Sequence, residues 1–381
     1  MKAMLKAACG DLFRKKYQFN IDRDRKRDIE RIRTYFDRFD DPAYGLDDRS
    51  WDDLTMDAVY ARIDTTMTNP GEEVLYSLLR TPQTNRDGLN VRKSYIDYFQ
   101  NNGDRKKEVQ EMLYRAGRDD LDITGMLTGE LKPRPLMRAV SIGLPLLLLA
   151  SLLYTALAQN TIGLLSAMLL FFVSIFVHFG VDHEFHHQSD AALYLGKLVN
   201  VSNKIVPIIE NDFPGLAAEL EAIYRECKPI GKGAWLLTRN EGLDTLTDQL
   251  NALILAKERK FFKMLTDIER HRDELLRLYR LLGELDAYIS VAAYREAVPH
   301  WCAPQITAEK GMLNCTDIYH PLLSDPVSNS ISISGKGVLI TGSNMSGKST
   351  FLRTLAINAL FAQTLCTCLA SRYRTGIYHI V

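Results

Sequence analysis

The first third of the chain repeats apolar residues at the spacing of amphipathic helices. The clearest stripe consists of Ile29, Ile32, Tyr35, Phe36 and Phe39. Because these positions recur at steps of three and four between charged residues, we predict a helix over 23–39. Similar stripes predict helices over 54–66, 85–102 and 104–117. With no strand pattern among them, residues 1–131 are predicted to form a helical core segment.

A further helix start is visible at Asn69-Pro70-Gly71-Glu72. Asparagine is a preferred N-cap, proline fits the first helical position, and an acidic residue suits the first turn. We therefore predict a helix with Asn69 as its N-cap, ended by Pro82.

The pattern then becomes continuously apolar. Residues 139–158 and 161–180 contain no Asp, Glu, Lys or Arg, and each stretch is long enough to cross about 30 Å of hydrocarbon. Only Gln159-Asn160 separates them, which predicts a transmembrane hairpin over 132–188. The alternative is a buried helical hairpin in a soluble core.

The charges beside this hairpin predict its orientation. Lys132, Arg134 and Arg138 precede the first span, whereas the turn is uncharged. By the positive-inside rule, we predict a membrane protein with two spans whose N-terminus and nucleotide-binding domain are cytoplasmic. His183 and His187, four residues apart, could bind zinc, but a polar helix end leaving the membrane is the simpler interpretation.

Residues 189–300 again have helical spacing and are predicted to form a core and lever segment. We expect breaks near Pro207 and Pro214 and a loop around 231–233. The long apolar repeat over 241–295 predicts two helices, or one bent at the charged run 257–260.

Residues 338–352 carry the strongest chemical signal. Gly342, Gly347, Lys348 and Ser349 fit the phosphate-loop pattern G-x-x-x-x-G-K-[ST]. The apolar run 337–341 is predicted to be a short buried strand, and helical spacing follows the loop. Such a loop turns its N–H groups toward phosphates at a helix N-terminus. The alternative is a glycine turn with an exposed lysine.

The pattern assigns a role to each part of the loop. Lys348 would contact the β- and γ-phosphates of ATP, Ser349 would bind Mg²⁺, and backbone N–H groups would cradle the phosphates. The predicted nucleotide-binding residues are Gly342, Ser343, Asn344, Met345, Ser346, Gly347, Lys348, Ser349 and Thr350, with Ser349 also the predicted metal ligand.

The loop also resembles that of one family. Thr341-Gly-Ser-Asn-Met-Ser-Gly-Lys-Ser-Thr350 is similar to the MutS family's T-G-P-N-M-[GAS]-G-K-S-T, with Ser343 in place of proline. Further resemblance lies in Tyr319-His-Pro-Leu322, Val327-Ser-Asn329 and Leu282-Gly-Glu-Leu-Asp-Ala287. Weaker similarity to the family's helical core lies in 61–66 and 75–80.

This resemblance implies a mostly α fold, with lever helices, followed over 301–381 by the first part of an α/β P-loop NTPase domain. It also implies a homodimer, because each site in the family is completed by the other subunit. Val327 and Asn329 correspond to family positions that contact the base.

Two family features are not found. The acidic D-E-x-x-x-G-T segment needed for hydrolysis does not follow the loop, so we expect this chain to be a fragment with no catalytic residues of its own and ATPase activity only in the complete protein. The mismatch-reading domain with its F-x-E motif is also not found, and the hairpin lies where the family has its DNA clamp.

The balance of charges and the spacing of the cysteines bear on the partners and on the redox compartment of the protein. Lys+Arg and Asp+Glu number 47 each, which argues against a dedicated nucleic-acid binder. The segments 1–38 and 40–64 carry net charges of +6 and −6. They either compensate each other or form a basic arm for lipid or nucleic acid. The six cysteines lack metal-site spacing, which predicts buried free thiols in a reducing compartment.

The sequence therefore predicts a membrane-anchored, dimeric MutS-like ATPase that couples its nucleotide state to lever movement, with membrane lipid as a partner. The first alternative is a DNA mismatch repair-type clamp, binding DNA while tethered to the membrane. The others are a transport-associated ATPase and a structural membrane protein with a degenerate nucleotide site.

Overall fold

The computed structural model describes residues 25–40, 45–129, 135–238, 254–309, 311–335, 337–343 and 347–378. The described chain is mostly helical and has one small mixed sheet. It forms two compact units. The sheet unit comprises Met1–Gln110 with Gly283–Val381, and the hairpin unit comprises Glu111–Leu282.

The helices before the hairpin follow the predicted order. They are α1 (Ile29–Phe39), α2 (Asp48–Asp53), α3 (Met56–Ile63), α4 (Asn69–Arg80), α5 (Arg86–Asn101), α6 (Gly103–Ala116) and α7 (Ile123–Thr128). The helix predicted over 54–66 is α3, which is shorter than predicted, and the short helix α2 before it was not predicted. Thr55 between them takes a left-handed backbone conformation.

The N-terminus of α4 is held by a buried carboxylate from a later helix, α12 (Arg272–Ala297). Asp286 accepts hydrogen bonds from the backbone N–H groups of Met67 and Thr68, at 2.9–3.0 Å, and from the Thr68 hydroxyl at 2.7 Å. The N-cap is Thr68, whose hydroxyl accepts from Gly71 N–H. The prediction of Asn69 as the cap was wrong by one residue, because Asn69 already lies inside the helix.

Two glycines allow α4 and α12 to approach closely. A Cβ atom on Gly71 would lie 2.2 Å from Asp286 Oδ2, and one on Gly283 would lie 2.5 Å from the Pro70 carbonyl oxygen. Both distances are shorter than real Cβ contacts, so any larger residue would separate the helices.

Arginines near the N-terminus pair with acids that follow them. Arg25 and Arg27 form salt bridges with Asp64, and Arg33 pairs with Asp48. In the described part of the chain, the basic and acidic segments therefore compensate each other, as one of the two interpretations expected.

The sheet contains β1 (Gln305–Ile306), β2 (Met312–Ile318), β3 (Asn329–Ser334) and β4 (Arg372–Thr375), in the order β1-β4-β2-β3. The β1–β4 pair is parallel and the other pairs are antiparallel. Its core packs against α13 (Lys348–Thr364). The predicted strand over 337–341 was wrong. Residues 337–343 are irregular and pair with no described strand, and Val338 and Leu339 are exposed.

The hairpin unit is built from long helices. They are α8 (Pro135–Ala158), α9 (Thr161–Ile209), α10 (Pro214–Thr238) and α11 (Ala256–Arg270), followed by the first part of α12. Helix α9 continues far beyond its apolar stretch and ends two residues after Pro207, and α10 begins at Pro214. The breaks predicted near these two prolines are therefore confirmed.

Two features of this unit differ from the predictions. Residues 231–233 are helical, because their glycines serve close packing between helices rather than a loop. A Cβ on Gly231 would lie 2.6 Å from Asn200 Oδ1 of α9. The apolar repeat forms two helices over its described part, α11 and α12, as one alternative predicted. The charged run 257–260 lies within α11, and the break between the helices falls at His271.

We expect Asp286→Ala to destabilise the fold by about 3 kcal/mol, because it leaves buried N–H donors of the α4 terminus without their acceptor. Asp104→Ala, which removes an exposed acid from the first turn of α6, is the matched control and should cost about 1 kcal/mol or less. Urea unfolding followed by circular dichroism measures both. Equal losses would show that the Asp286 hydrogen bonds do not hold α4.

Candidate phosphate loop and apolar hairpin

The phosphate-loop residues lie at the N-terminus of α13. Gly347 is its N-cap and has φ 83°, a left-handed conformation that favours glycine. No atom lies within 4 Å of where its Cβ would be. The requirement for glycine at this position is therefore conformational, as expected for a loop that turns directly into a helix.

Lys348 folds back over the loop that precedes it. Its Nζ donates to the carbonyl oxygens of Gly342 and Ser343, each at 2.5 Å. The ammonium group thus lies against the loop backbone, while Ser349 and Thr350 are exposed in the first turn of the helix. The predicted residues Asn344, Met345 and Ser346 lie outside the described residues.

The two predicted base-contacting residues lie two positions apart at the start of β3. Asn329 begins β3, and its side-chain amide donates to the Val327 carbonyl oxygen at 3.1 Å. Both side chains are exposed, Val327 by 82%. They are thus available to a ligand, and their predicted role stays a prediction.

A buried asparagine in α13 links this helix to the Tyr319-His320 segment. Asn358 donates to the Tyr319 carbonyl oxygen at 3.3 Å and accepts from Leu369 N–H at 2.6 Å. Leu369 in turn accepts from Tyr319 N–H through its carbonyl oxygen. This network sets the position of α13 against the turn that precedes β3.

The C-terminal end of α13 is held by two arginines of the helical core. Arg92 donates to the Thr364 carbonyl oxygen at 2.6 Å, and Arg295 donates to the Cys366 carbonyl oxygen at 2.8 Å and to Thr367 Oγ1 at 2.7 Å. Cys366 has φ 50°, which is strained for a residue other than glycine. The end of α12 therefore fixes the loop that follows the phosphate-loop helix.

Arg295 is also tied to the rest of the core. It is almost fully buried, forms a salt bridge with Asp97 at 2.7 Å, and lies with its guanidinium 4.1 Å from the Trp301 ring centroid. Desolvation outweighs the attraction of Asp97 and lowers the pKa of Arg295. Sequence reasoning missed Arg295, Arg92 and Asn358. The available signal for Asn358 was a polar residue inside an apolar helical stripe.

Four of the cysteines are buried and free, and Cys302 is half-buried and free. Burial raises the pKa of Cys302 to about 11 and that of Cys227 to about 12. These thiols are therefore protonated near neutral pH and poorly suited as nucleophiles.

His320 lies buried beside the phosphate-loop helix. Its Nδ1 accepts a hydrogen bond from Leu322 N–H at 3.2 Å. Burial, with a smaller contribution from the positive charge of Arg353, lowers the pKa of His320 below its ordinary value. The folded protein therefore favours the neutral ring.

The second candidate feature is the apolar hairpin. Leu136–Ala158 and Thr161–Val181 are long and apolar enough to cross a membrane, and only 6% and 17% of these stretches are buried. Ser151 Oγ lies 2.5 Å from Ser166 Oγ and donates to the Gly163 carbonyl oxygen. The two helices thus contact each other through small polar groups and expose leucine and phenylalanine side chains.

The base of the hairpin is joined to α11. His178 Nδ1 lies 2.5 Å from Glu258 Oε1, and Phe185 packs against Phe261 and Phe262. The side chains of His183 and His187, considered above as metal ligands, lie outside the described residues.

The chain is similar to several proteins of one kind, the DNA mismatch repair proteins MutS. DNA mismatch repair protein MutS of Thermus aquaticus is 27% identical over 345 residues, which cover 81% of this chain and 41% of that protein. MutS of Thermus thermophilus is 26% identical over the same extent, and MutS of Treponema denticola is 36% identical over 146 residues, which cover 32% of this chain. The chain spans about 41% of the length of the Thermus relatives. No protein-family model matches the chain.

We expect the chain to lose stability as the pH falls below 6.5, the ordinary pKa of histidine, because protonation of His320 is disfavoured in the folded state. His320→Asn retains a hydrogen-bond acceptor near the position of Nδ1 but does not titrate, so it should lose less stability between pH 7.5 and pH 5. Thermal unfolding of both proteins at the two pH values measures the difference. Parallel losses would contradict the assignment.

Proposed function

Because the chain is related to the MutS proteins, we propose that it is an ATP-binding protein of MutS type, anchored to a membrane by the α8–α9 hairpin and acting as a homodimer. The observation that carries this proposal is the arrangement of Gly347 and Lys348 at the N-terminus of α13. Gly347 has a left-handed backbone conformation, Lys348 donates hydrogen bonds to two carbonyl oxygens of the loop, and the first turn of the helix is exposed.

Each loop residue has a role in this proposal. When ATP binds, the charge of Lys348 would move from the carbonyl oxygens to the β- and γ-phosphates, and the Ser349 hydroxyl would bind Mg²⁺. The N–H groups of Asn344 to Gly347 would cradle the phosphates, and Val327 with Asn329 would contact the base. ATP hydrolysis is proposed for the protein as a whole, and no residue of this chain is assigned as its catalytic acid or base.

The contacts at the other end of α13 support coupling between the nucleotide and the helical core. Arg295 lies at the end of α12 and donates to the loop directly after α13. A displacement of α13 on nucleotide binding would therefore act on α12 through two buried hydrogen bonds. In this proposal α12 serves as the lever.

The exposure of the hairpin supports the membrane anchor. In a soluble core these leucine and phenylalanine side chains would be buried, yet Leu149 and Leu169 are 55% and 66% exposed. Hydrocarbon is the environment in which such a surface is stable.

The relatives' names favour a second candidate, a DNA-binding clamp tethered to the membrane. The neutral charge of the chain and the internal pairing of Arg25, Arg27 and Arg33 oppose it. Salt-dependent binding of mismatched duplex, switched by ATP, would favour the clamp over the first proposal.

We expect Lys348→Ala to weaken ATP binding at least about tenfold, because it removes a charge-assisted contact to phosphate. Arg353→Ala, one turn and a half further along α13, should bind ATP nearly as the unmodified protein does. Titration with a fluorescent ATP analogue and Mg²⁺ measures both, and circular dichroism checks the fold. Unchanged affinity in the Lys348 variant would exclude the phosphate-loop assignment.

We expect the protein to remain in the membrane pellet after alkaline carbonate extraction. Replacing Leu149 and Leu169 together by arginine should release it, since each charge near the middle of a span costs about 3 kcal/mol. Arginines at Leu136 and Phe179, exposed residues at the predicted cytoplasmic ends, are the control and should be tolerated. A soluble unmodified protein would refute the anchor.

A further inference from the structure

The base of the hairpin carries basic side chains close to the end of the apolar surface. The hairpin turn at Gln159-Asn160 makes α8 and α9 antiparallel, so the start of the first span and the end of the second lie at the same end. Arg138 is exposed near the start of the first span. Basic residues of α11 lie near the end of the second.

The position of α11 follows from two contacts with α9. The His178–Glu258 pair joins the first turn of α11 to the last turn of the apolar stretch, which ends at Val181. About two helical turns further along α9, Phe185 packs against the aromatic rings of Phe261 and Phe262 on α11. The buried face of α11 therefore lies against the base of the hairpin.

The opposite face of α11 presents lysines at the depth of lipid headgroups. Lys260 and Lys263 follow Glu258 by two and five residues, so the helix carries them at most about 3 and 7.5 Å farther from the hydrocarbon. The headgroup layer on each side of a bilayer is about 5–8 Å thick. Both ammonium groups are therefore within reach of lipid phosphate groups when α11 keeps its observed position.

These cations have no counter-ion within the described protein. Arg138, Lys260 and Lys263 form no salt bridge with any described carboxylate. Glu258, the acid beside Lys260, is buried and directed at His178, and Asp267, one helical turn beyond Lys263, forms no salt bridge with it. The sequence also has Asp182 and Glu184 at this end, but the basic residues Arg138, Lys257, Arg259, Lys260 and Lys263 outnumber the acidic ones.

We propose that Arg138, Arg259, Lys260 and Lys263 form a basic collar that binds the phosphate groups of anionic phospholipids at the cytoplasmic membrane surface. The proposal rests on the membrane anchor proposed above and adds a lipid preference to it. Each basic side chain near an anionic surface strengthens association by about fivefold. The collar would therefore hold α11, and the start of α12 beyond His271, at a set height above the bilayer.

The test is binding of acyl-labelled phosphatidylglycerol and phosphatidylcholine to the detergent-solubilised protein. We expect tighter binding of phosphatidylglycerol, weakened by 0.5 M salt because the Debye length falls below about 5 Å. Lys260→Glu together with Lys263→Glu should lower that affinity at least about tenfold, whereas the corresponding pair of arginine substitutions should preserve it.

The matched control is Lys228→Glu together with Lys232→Glu. These two lysines are exposed on α10, which packs against α9 near Gly196, about 20 Å beyond Val181 along the helix. The control should keep the lipid preference. Equal losses in both pairs would show a general charge effect and overturn the collar.

Membrane insertion is measured in a separate experiment, by carbonate extraction of the protein from vesicles that contain only phosphatidylcholine. Extraction of the unmodified protein would refute the anchor itself. Stable insertion without preference for phosphatidylglycerol would overturn only the collar. Salt-sensitive duplex DNA binding lost in the Lys260/Lys263 variant, without lipid preference, would reassign the basic face to nucleic acid and overturn the proposal.

Discussion

The buried carboxylate of Asp286 is the contact on which the sheet unit depends. An ionised group away from water is stable only when donors surround it, and the unpaired N–H groups at the start of α4 supply them. This requirement brings α4 and α12 together at Gly71 and Gly283. The same contact therefore also positions the C-terminal part of α12. Arg295, near the end of α12, then lies against the loop that follows α13. A polar constraint far from the loop thus determines the surroundings of that helix.

The elements that could be predicted are those whose signal is local. Periodic stripes located α1, α5 and α6. The prediction failed where one residue type serves two purposes. Gly231 indicated a loop, yet it allows α9 and α10 to approach. The charged run 257–260 indicated a bend, yet it lies within α11, and its Glu258 is buried against His178. The run 337–341 is apolar enough for a strand, but a strand requires a partner, and pairing is a long-range property.

In the candidate site, too, the features within a short stretch of sequence could be predicted and the long-range contacts could not. The glycine and lysine spacing that predicts a phosphate loop could be read from the sequence because these residues are contiguous. The structure places Gly347, in a left-handed backbone conformation, at the N-terminus of α13. Arg92, Arg295 and Asn358 could not be predicted, because their partners are distant in sequence or backbone atoms. Arg295 is 71 residues from the Cys366 carbonyl oxygen that it holds. Backbone acceptors carry no residue identity, so no pattern of side chains identifies them.

Helix α9 has a mechanical consequence. It runs for 49 residues, about 73 Å, from the hairpin turn into the packed helices of its unit without an interruption. Pro207, the one proline within α9, lies in its final turn, so no proline kink separates the apolar stretch from the packed end. With the hairpin anchored as proposed, a tilt of the packed end would be accompanied by a tilt of the span within the lipid. The thickness and tension of the bilayer would then bear directly on the orientation of this unit.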